Sequence, residues 1–476
     1  MALTIPSFEA VPAVKHHNDH LEISEDLIRR FDSLGPRYTS YPTADRFHSD
    51  FTATSYIQYL QQRNQAQNKP PLSLYIHIPF CASLCYYCAC NKVITKDRSK
   101  SAIYLNYLAR ELQLVKQHLT VRETISQLHL GGGTPTFLSE DEMRGLMALL
   151  RENFDFADDA EISIEIDPRT VTSHTLQLLA DVGFNRTSLG VQDFDEQVQI
   201  AVHRIQPYDM VKKCIEESRA VGFQSINFDL IYGLPKQDLE SFSRTLDQVI
   251  ALSPARIALY NYAHLPTRFK PQRRINEADL PSAEQRLQIF LMSLRRLLAE
   301  GYVYIGLDHF AKPDDSLALA VKDKSLHRNF QGYTTRADCD LIALGLSSIG
   351  KIGASYVQNL RTLDEYYAAL DQDQLPVEKG FHLSPDDLLR REIIMDLMCS
   401  TTLNIPEIEK KYQIHFAEYF RDELARIAPY VDEGLMNAGE ATVSVTAKGR
   451  MFVRAFSMIF DQYLSRQSGA RYSKLI

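Results

Sequence analysis

Residues 75–92 read Tyr75-Ile-His-Ile-Pro-Phe-Cys81-Ala-Ser-Leu-Cys85-Tyr-Tyr-Cys88-Ala-Cys90-Asn-Lys92, a strand-like run that stops at proline and opens into four cysteines. The other three cysteines, Cys214, Cys339 and Cys399, are scattered along the chain. An odd total with one dense cluster makes a poor disulfide framework, because neighbours this close form strained bridges. Soft thiolates gathered on one loop suit a metal centre, with zinc and an iron–sulfur cluster as the candidates. A structural zinc site closes a tetrahedron from two separated pairs, and the second pair is missing here. Cys90 follows Cys88 after a single residue, an awkward reach for a fourth ligand. Three thiolates on one loop suit a four-iron cubane whose remaining iron is open to a small molecule.

Outward from this segment the chain alternates. Runs rich in β-branched and aromatic residues at Leu72–Phe80, Ile125–Leu130, Glu161–Ile166, Arg186–Val191, Ser225–Leu230, Arg256–Tyr262 and Tyr302–Leu307 read as strands. Helical periodicity fills the gaps at Ala102–Leu119, Glu140–Phe154, Leu239–Ala251 and Ala283–Leu298. Two of these helices open with capping boxes, Ser139-x-x-Glu142 and Ser282-x-x-Gln285. Strand–helix alternation predicts a parallel sheet, open or rolled into a barrel. Gly131–Gly133, Glu165, Asp167, Gln192, Asp193, Asp229, Tyr262–His264, Asp308 and His309 fall at or just beyond successive strand ends. A barrel gathers those ends on one face, where barrel enzymes keep their sites.

The termini differ from this middle. A polar stretch, Gln61–Lys69, closes an N-terminal arm at Pro70-Pro71. Ser384-Pro385 caps a helix through Met398, two further helices follow, Gly434–Thr446 reads as a hairpin, and a last helix starts at Lys448. The expected units are thus an arm over residues 1–70, a barrel over 71–375 and a mainly helical, winged-helix-like unit over 376–476. The chain of 476 residues carries a net charge of -8, which gives no reason to expect nucleic acid or an anionic membrane as partner. Met1–His20 has no basic segment followed by an apolar one, and no run of 18 apolar residues occurs, so a cytoplasmic protein with reduced thiols is expected.

Cys81-x3-Cys85-x2-Cys88 with an aromatic before the last cysteine resembles the signature of the radical S-adenosylmethionine (SAM) superfamily. The resemblance implies a 4Fe-4S cluster held by Cys81, Cys85 and Cys88, with SAM chelated at the open iron and cleaved to a hydrogen-abstracting radical. Further motifs narrow it. Pro36-Arg-Tyr-Thr-Ser-Tyr-Pro-Thr43, Cys88-x-Cys90-Asn-Lys, Gly131-Gly-Gly-Thr-Pro-Thr136, Gly190-Val-Gln-Asp-Phe194, Asp229-Leu-Ile-Tyr-Gly-Leu-Pro235, Asn261-Tyr-Ala-His-Leu-Pro266, Asp308-His-Phe-Ala311 and His327-Arg-Asn-Phe-Gln-Gly-Tyr333 are similar to those of the oxygen-independent coproporphyrinogen III oxidases. Tyr87 stands where some members carry phenylalanine.

That resemblance implies oxidative decarboxylation of two propionates of coproporphyrinogen III to vinyl groups, with two SAM molecules in the site. By motif, the first would touch Tyr75, Gly132, Glu165, Ala263 and Ile349; the second would touch Tyr87, Gly133, Thr134, Gln192, Arg204 and Asp229. It implies a low-potential donor such as flavodoxin or ferredoxin, and a monomer is expected. Taken alone, Glu165 reads as a strand-end cap and Arg204 as a solvated side chain, and His77 and His309 read as packing groups. Arg37, in the arm, is expected to fold over the barrel mouth and pair with a propionate. Two alternatives stay open: a haem-trafficking relative without oxidase activity, and a zinc-stabilised scaffold.

Overall fold

A computed structural model describes residues 24–31, 34–336 and 339–464; the stretch Met1–His20, read above as lacking a leader, lies outside them. Six strands form the centre of one sheet: β1 (Leu72–Ile78), β2 (Thr124–Gly132), β3 (Asp155–Ile166), β4 (Arg186–Gln192), β5 (Ser225–Tyr232) and β6 (Arg256–Asn261). They pair in sequence order, all parallel, with Asp340–Leu344 added in parallel beside β1. The order is linear. One edge is Val377–His382 and the other Val303–Gly306, so the sheet curls without closing.

Parallel neighbours need crossovers, and helices supply them. Ser99–Lys116, Glu140–Asn153 and Leu239–Leu252 return the chain after β1, β2 and β5. Both expected capping boxes form: Ser139 and Ser282 accept from the backbone of Glu142 and Gln285, whose side chains accept in return. Each such cap is worth about 1 kcal/mol.

The strand faces divide the labour. In β4 the buried residues are Thr187, Leu189 and Val191, and Leu189 and Val191 pack outward with Ile226, Phe228 and Leu230 of β5 under the helices. The alternate residues, Ser188, Gly190 and Gln192 on β4 with Asn227 and Asp229 on β5, turn inward. A closed eight-stranded barrel fills its axis with packed branched side chains. Here the axis is polar and encloses a cavity of about 540 Å³.

Two expectations change. The seventh run does not continue the parallel alternation: Val303–Gly306 pairs antiparallel with His309–Ala311, which itself pairs antiparallel with β6. Gly306 and Leu307, at φ of 150° and 53°, turn the chain back. Val377–His382 is a strand of the same sheet, paired with Ser355–Asn359, so the sheet runs past residue 376, where the third unit was expected to begin. The polar stretch Gln61–Lys69 begins inside a helix, Ala53–Gln65, which closes the N-terminal segment before β1.

Beyond the sheet, Pro385–Ser400 starts on its Ser384 cap. Met436–Ala438 and Thr442–Val445 form the expected hairpin, and Thr402–Asn404 adds a third strand. Arg454 donates to the carbonyls of Gly35 (2.6 Å) and Pro36 (3.1 Å), tying the last helix to the N-terminal segment. Among the described residues no helix is long and apolar enough to cross a membrane.

Candidate active site

Pro79 ends β1, and the cysteine loop hangs between two short parallel segments, Phe80–Cys81 and Val93–Ile94. Val93 donates its N–H to the Pro79 carbonyl at 2.7 Å and Thr95 donates to that of Cys81 at 3.0 Å. Midway, the Tyr86 ring stacks on His203 at 5.0 Å, and the Tyr86 N–H reaches the Val202 carbonyl at 2.9 Å. Lys92 caps the far end with bonds of 3.2 Å to the carbonyls of Cys88 and Cys90. The loop is held at three points.

The sulfurs have donors. Thr134 Oγ1 donates to Cys81 at 3.4 Å, and Cys85 receives Arg204 Nη1 at 3.6 Å and Arg169 Nη2 at 3.7 Å. Arg204 also pairs with Asp167 at 3.0 Å and donates to the Gly190 carbonyl at 2.7 Å. At 7% exposure, it is not the solvated arginine that its sequence context suggests. Burial pushes the Cys81 thiol up to about 11, whereas a hydrogen bond from Cys90 holds Cys88 below its ordinary range.

Behind the loop, register builds a polar wall. Glu165 lies opposite Ser188, and Ser188 opposite Asn227. Glu165 accepts from the Gly132 N–H at 3.1 Å and contacts His129 Nε2 at 3.3 Å. Burial works against its charge, but the His129 contact and the Gly132 donor more than offset this and hold the carboxyl below its usual range. His129 meets Ser163 at 2.6 Å and stacks on Tyr75 at 5.9 Å. His77, which lines the cavity, is fixed between Tyr75 OH (3.1 Å) and the Asn91 carbonyl (3.0 Å).

Glycine at 132 and 133 answers to the fold before any ligand. Gly132 has φ of 116°, and a Cβ there would meet the His77 ring at 2.6 Å. A Cβ on Gly133 would strike the Pro79 carbonyl, also at 2.6 Å. Backbone cannot swing aside like a flexible side chain, so Gly133→Ala is expected to cost about 1–3 kcal/mol and to reduce bound iron by displacing the cysteine loop. Denaturant midpoint and iron content test this; a wild-type value in both would show that the loop tolerates the shift.

Asp229 accepts from Ser188 at 2.7 Å and Asn227 at 2.9 Å. Burial pushes its carboxyl up to about 6, although the Ser188 bond pulls it down. The folded chain therefore holds this proton more tightly than the unfolded one, so the group weakens the fold as pH rises from about 4 to about 6. Asp229→Asn is expected to flatten that part of the stability–pH curve, measured as urea midpoints across the same range. An unaltered slope would remove Asp229 as its source.

The expected site residues fall into two neighbouring sets. Tyr75, Gly132, Glu165, Asp229 and Ile349 line the main cavity together with Cys90. Thr134 and Arg204 surround the thiols, with Gln192 beside Arg204 at Gly190. Gln272 joins Tyr87 and Ala263 by donating to both carbonyls, at 3.0 and 3.2 Å. Arg37 belongs to neither set. It is paired with Asp308 and lies over the Tyr260 ring, so the carboxylate partner expected from a substrate is supplied by the chain itself. Sequence reading missed His129, Asn227 and Arg169 as parts of the site, and it placed Asp167 at a strand end facing the site without giving it a role. Asn227 was within reach, since it lies two residues before Asp229 on the same strand face.

Among the described residues, no three His, Cys, Asp or Glu side chains converge on one ion. A multi-iron cluster takes its thiolates on separate irons, and a loop of three thiols with guanidinium and hydroxyl donors on two of the sulfurs fits that demand. Residues 75–249 match the family model described as Radical SAM superfamily. The fold and this loop define a radical SAM enzyme, with one 4Fe-4S cluster and SAM as its cofactors. Residues 383–452 match the model described as HemN C-terminal domain.

The oxygen-independent coproporphyrinogen III oxidase of Pseudomonas aeruginosa is 48% identical over 96% of this chain and 100% of its own. That of Escherichia coli is 46% identical over 93% of this chain and 96% of its own. A solved structure of the Escherichia coli coproporphyrinogen III oxidase, described as a radical SAM enzyme, superposes with a TM-score of 0.88 at 44% identity, covering 93% of this chain and all of that one. The chain belongs to the oxygen-independent coproporphyrinogen III oxidase family.

Proposed function

We propose that this chain converts two propionate side chains of coproporphyrinogen III to vinyl groups, giving protoporphyrinogen IX for haem biosynthesis. The observation that carries the reading is a cysteine loop whose Cys90 and Asn91 line a polar, ligand-sized cavity, in a chain that matches this oxidase along nearly its whole length. Each propionate loses a hydrogen atom from its β-carbon, a molecule of carbon dioxide and one electron, which leaves the vinyl group. When bound, the cluster and SAM supply the reducing electron and the hydrogen-abstracting radical that the side chains lack.

Cys81, Cys85 and Cys88 hold the cluster in this reading. Tyr75, Gly132, Glu165, Ala263 and Ile349 bind one SAM, and Tyr87, Gly133, Thr134, Gln192, Arg204 and Asp229 bind the second. Glu165 and Asp229 accept hydrogen bonds from amino or ribose hydroxyl groups, and the Arg204 fork suits a carboxylate. The chain works as a cytoplasmic monomer with a flavodoxin- or ferredoxin-like donor.

Anaerobic incubation with SAM, a reductant and coproporphyrinogen III, followed by product analysis, tests this. Divinyl product is expected. SAM cleavage without vinyl product, or haem binding alone, would favour the trafficking alternative.

A further inference from the structure

A second cavity, of about 560 Å³, lies beside the first. Arg328, Phe330, Lys351, Tyr356, Arg391 and Tyr412 are among its lining residues, and Phe330 also lines the main cavity, so this ring is a wall common to both. Each volume falls within the range of about 300–1,000 Å³ that holds one drug-sized ligand. Two SAM molecules and a four-ring macrocycle are three such ligands, more than 540 Å³ accommodates.

Arg328 is the unusual group in the wall. It sits in the strand His327–Asn329, hydrogen-bonded antiparallel to Gly332–Thr334 and directly opposite Tyr333, over whose ring its guanidinium lies at 4.6 Å. The residue is 7% exposed. Neither Nε nor Nη1 meets a hydrogen-bond partner, and no carboxylate pairs with Arg328 among the described residues. Its charged neighbours aggravate the imbalance. Arg37 is taken by Asp308, and burial first, then guanidinium charges including that of Arg328, hold Arg37, Arg454 and His309 below their ordinary ranges. Nearby cations in the cavity wall are matched, since Arg336 pairs with Asp159 and Lys411 with Glu392. A buried guanidinium with unmet donors is costly unless an anion completes it.

We propose that this second cavity is a tetrapyrrole subsite in which Arg328 binds one side-chain carboxylate of the macrocycle. The inference rests on the functional reading above and deepens it by naming where the substrate is anchored. The guanidinium fork takes a carboxylate in two parallel hydrogen bonds. Phe330 and Tyr356, edge to face at 5.6 Å, give the macrocycle apolar flanks, and a ring system anchored at Arg328 presents its opposite edge across Phe330 to the main cavity. Arg328 thereby positions the substrate and takes no part in the chemistry.

The test is an anaerobic fluorescence titration of the holoenzyme, without reductant, using coproporphyrin III, which keeps the four propionates, and its tetramethyl ester, which masks them. Arg328→Met is expected to weaken the free acid at least about tenfold, with ester binding and SAM binding unchanged. Arg328→Lys, which keeps the charge and loses the fork, should fall between. The methionine variant should also unfold no earlier than the parent, because it removes a buried charge. Equal affinity of parent and both variants for the free acid overturns the proposal. So does a matching loss for the ester, which would mark a collapsed cavity rather than a lost anion contact. Should the methionine variant fail to fold, the lysine variant decides alone: affinity equal to the parent's overturns the proposal and a several-fold loss supports it. Vinyl product from an Arg328→Met enzyme with unaltered binding sinks this inference alone, whereas a parent that makes no vinyl product sinks the functional reading and this inference with it.

Discussion

Cys85→Ser is expected to leave the chain folded, strip most of its bound iron and cut turnover at least about a thousandfold, equivalent to about 4 kcal/mol of transition-state stabilisation. Serine is nearly isosteric with cysteine, so the buried position of Cys85 stays filled. What changes is the donor: an alcohol oxygen is hard, is not ionised near neutral pH and is a poor ligand for iron–sulfur clusters. Arg169 and Arg204, which donate to the Cys85 sulfur, then have no thiolate to stabilise. Cys81→Ser and Cys88→Ser should behave alike. Cys214→Ser is the control, because that buried thiol packs in the helix Tyr208–Ala220 and should keep its iron-loaded state. Iron per chain, the charge-transfer absorption and the far-ultraviolet dichroism separate these outcomes. Full iron content in any of the three loop variants would falsify the proposed ligand set.

Arg63→Met should produce the largest loss of stability, about 3–5 kcal/mol. Arg63 lies in the last turn of the helix Ala53–Gln65, where it pairs with Glu123 at 3.0 Å and with Asp340, and donates to the Pro70 carbonyl at 3.0 Å. Its side chain is 3% exposed, and those of its two acidic partners are 7% and 3% exposed. Removing the cation leaves two carboxylates in a region that water does not reach. Lys69, at 3.3 Å from Glu123, relieves one of them in part, and Asp340 keeps the Gly353 N–H at 2.8 Å. The double variant Arg63→Met, Asp340→Asn should recover part of the loss. Urea unfolding measures both; a cost below about 1 kcal/mol would mean that the site behaves as solvated.

These two side chains also show what a sequence can and cannot disclose. Cys85 announces itself, because the spacing that makes it a ligand is local and no distant residue is needed to read it. The strand runs and capping boxes are legible for the same reason, since alternation and Ser-x-x-Glu are short-range patterns. Arg63 sits in a stretch of glutamine, asparagine and lysine that resembles any solvated tail, and its meaning comes from Glu123 and Asp340, far along the chain. Arg204 misleads similarly, because Asp167 and Cys85 arrive from other loops. Arg328 lies within a recognisable motif, yet nothing there tells that its guanidinium is buried without a carboxylate. The antiparallel return at Val303–Ala311 was hidden because its strands are only four and three residues long.

The two faces of β4 and β5 carry one more consequence. The helices grip the outer side chains, while the inner ones, Ser188, Asn227 and Asp229, face the cavity and bear little of the packing. Burial of apolar surface, the main source of stability, is thus separated by a single strand's thickness from the groups that meet ligands. Inner positions are open to exchange of hydroxyl, amide and carboxylate at small thermodynamic cost, so new ligand preferences are reachable in this scaffold without passing through unfolded sequences.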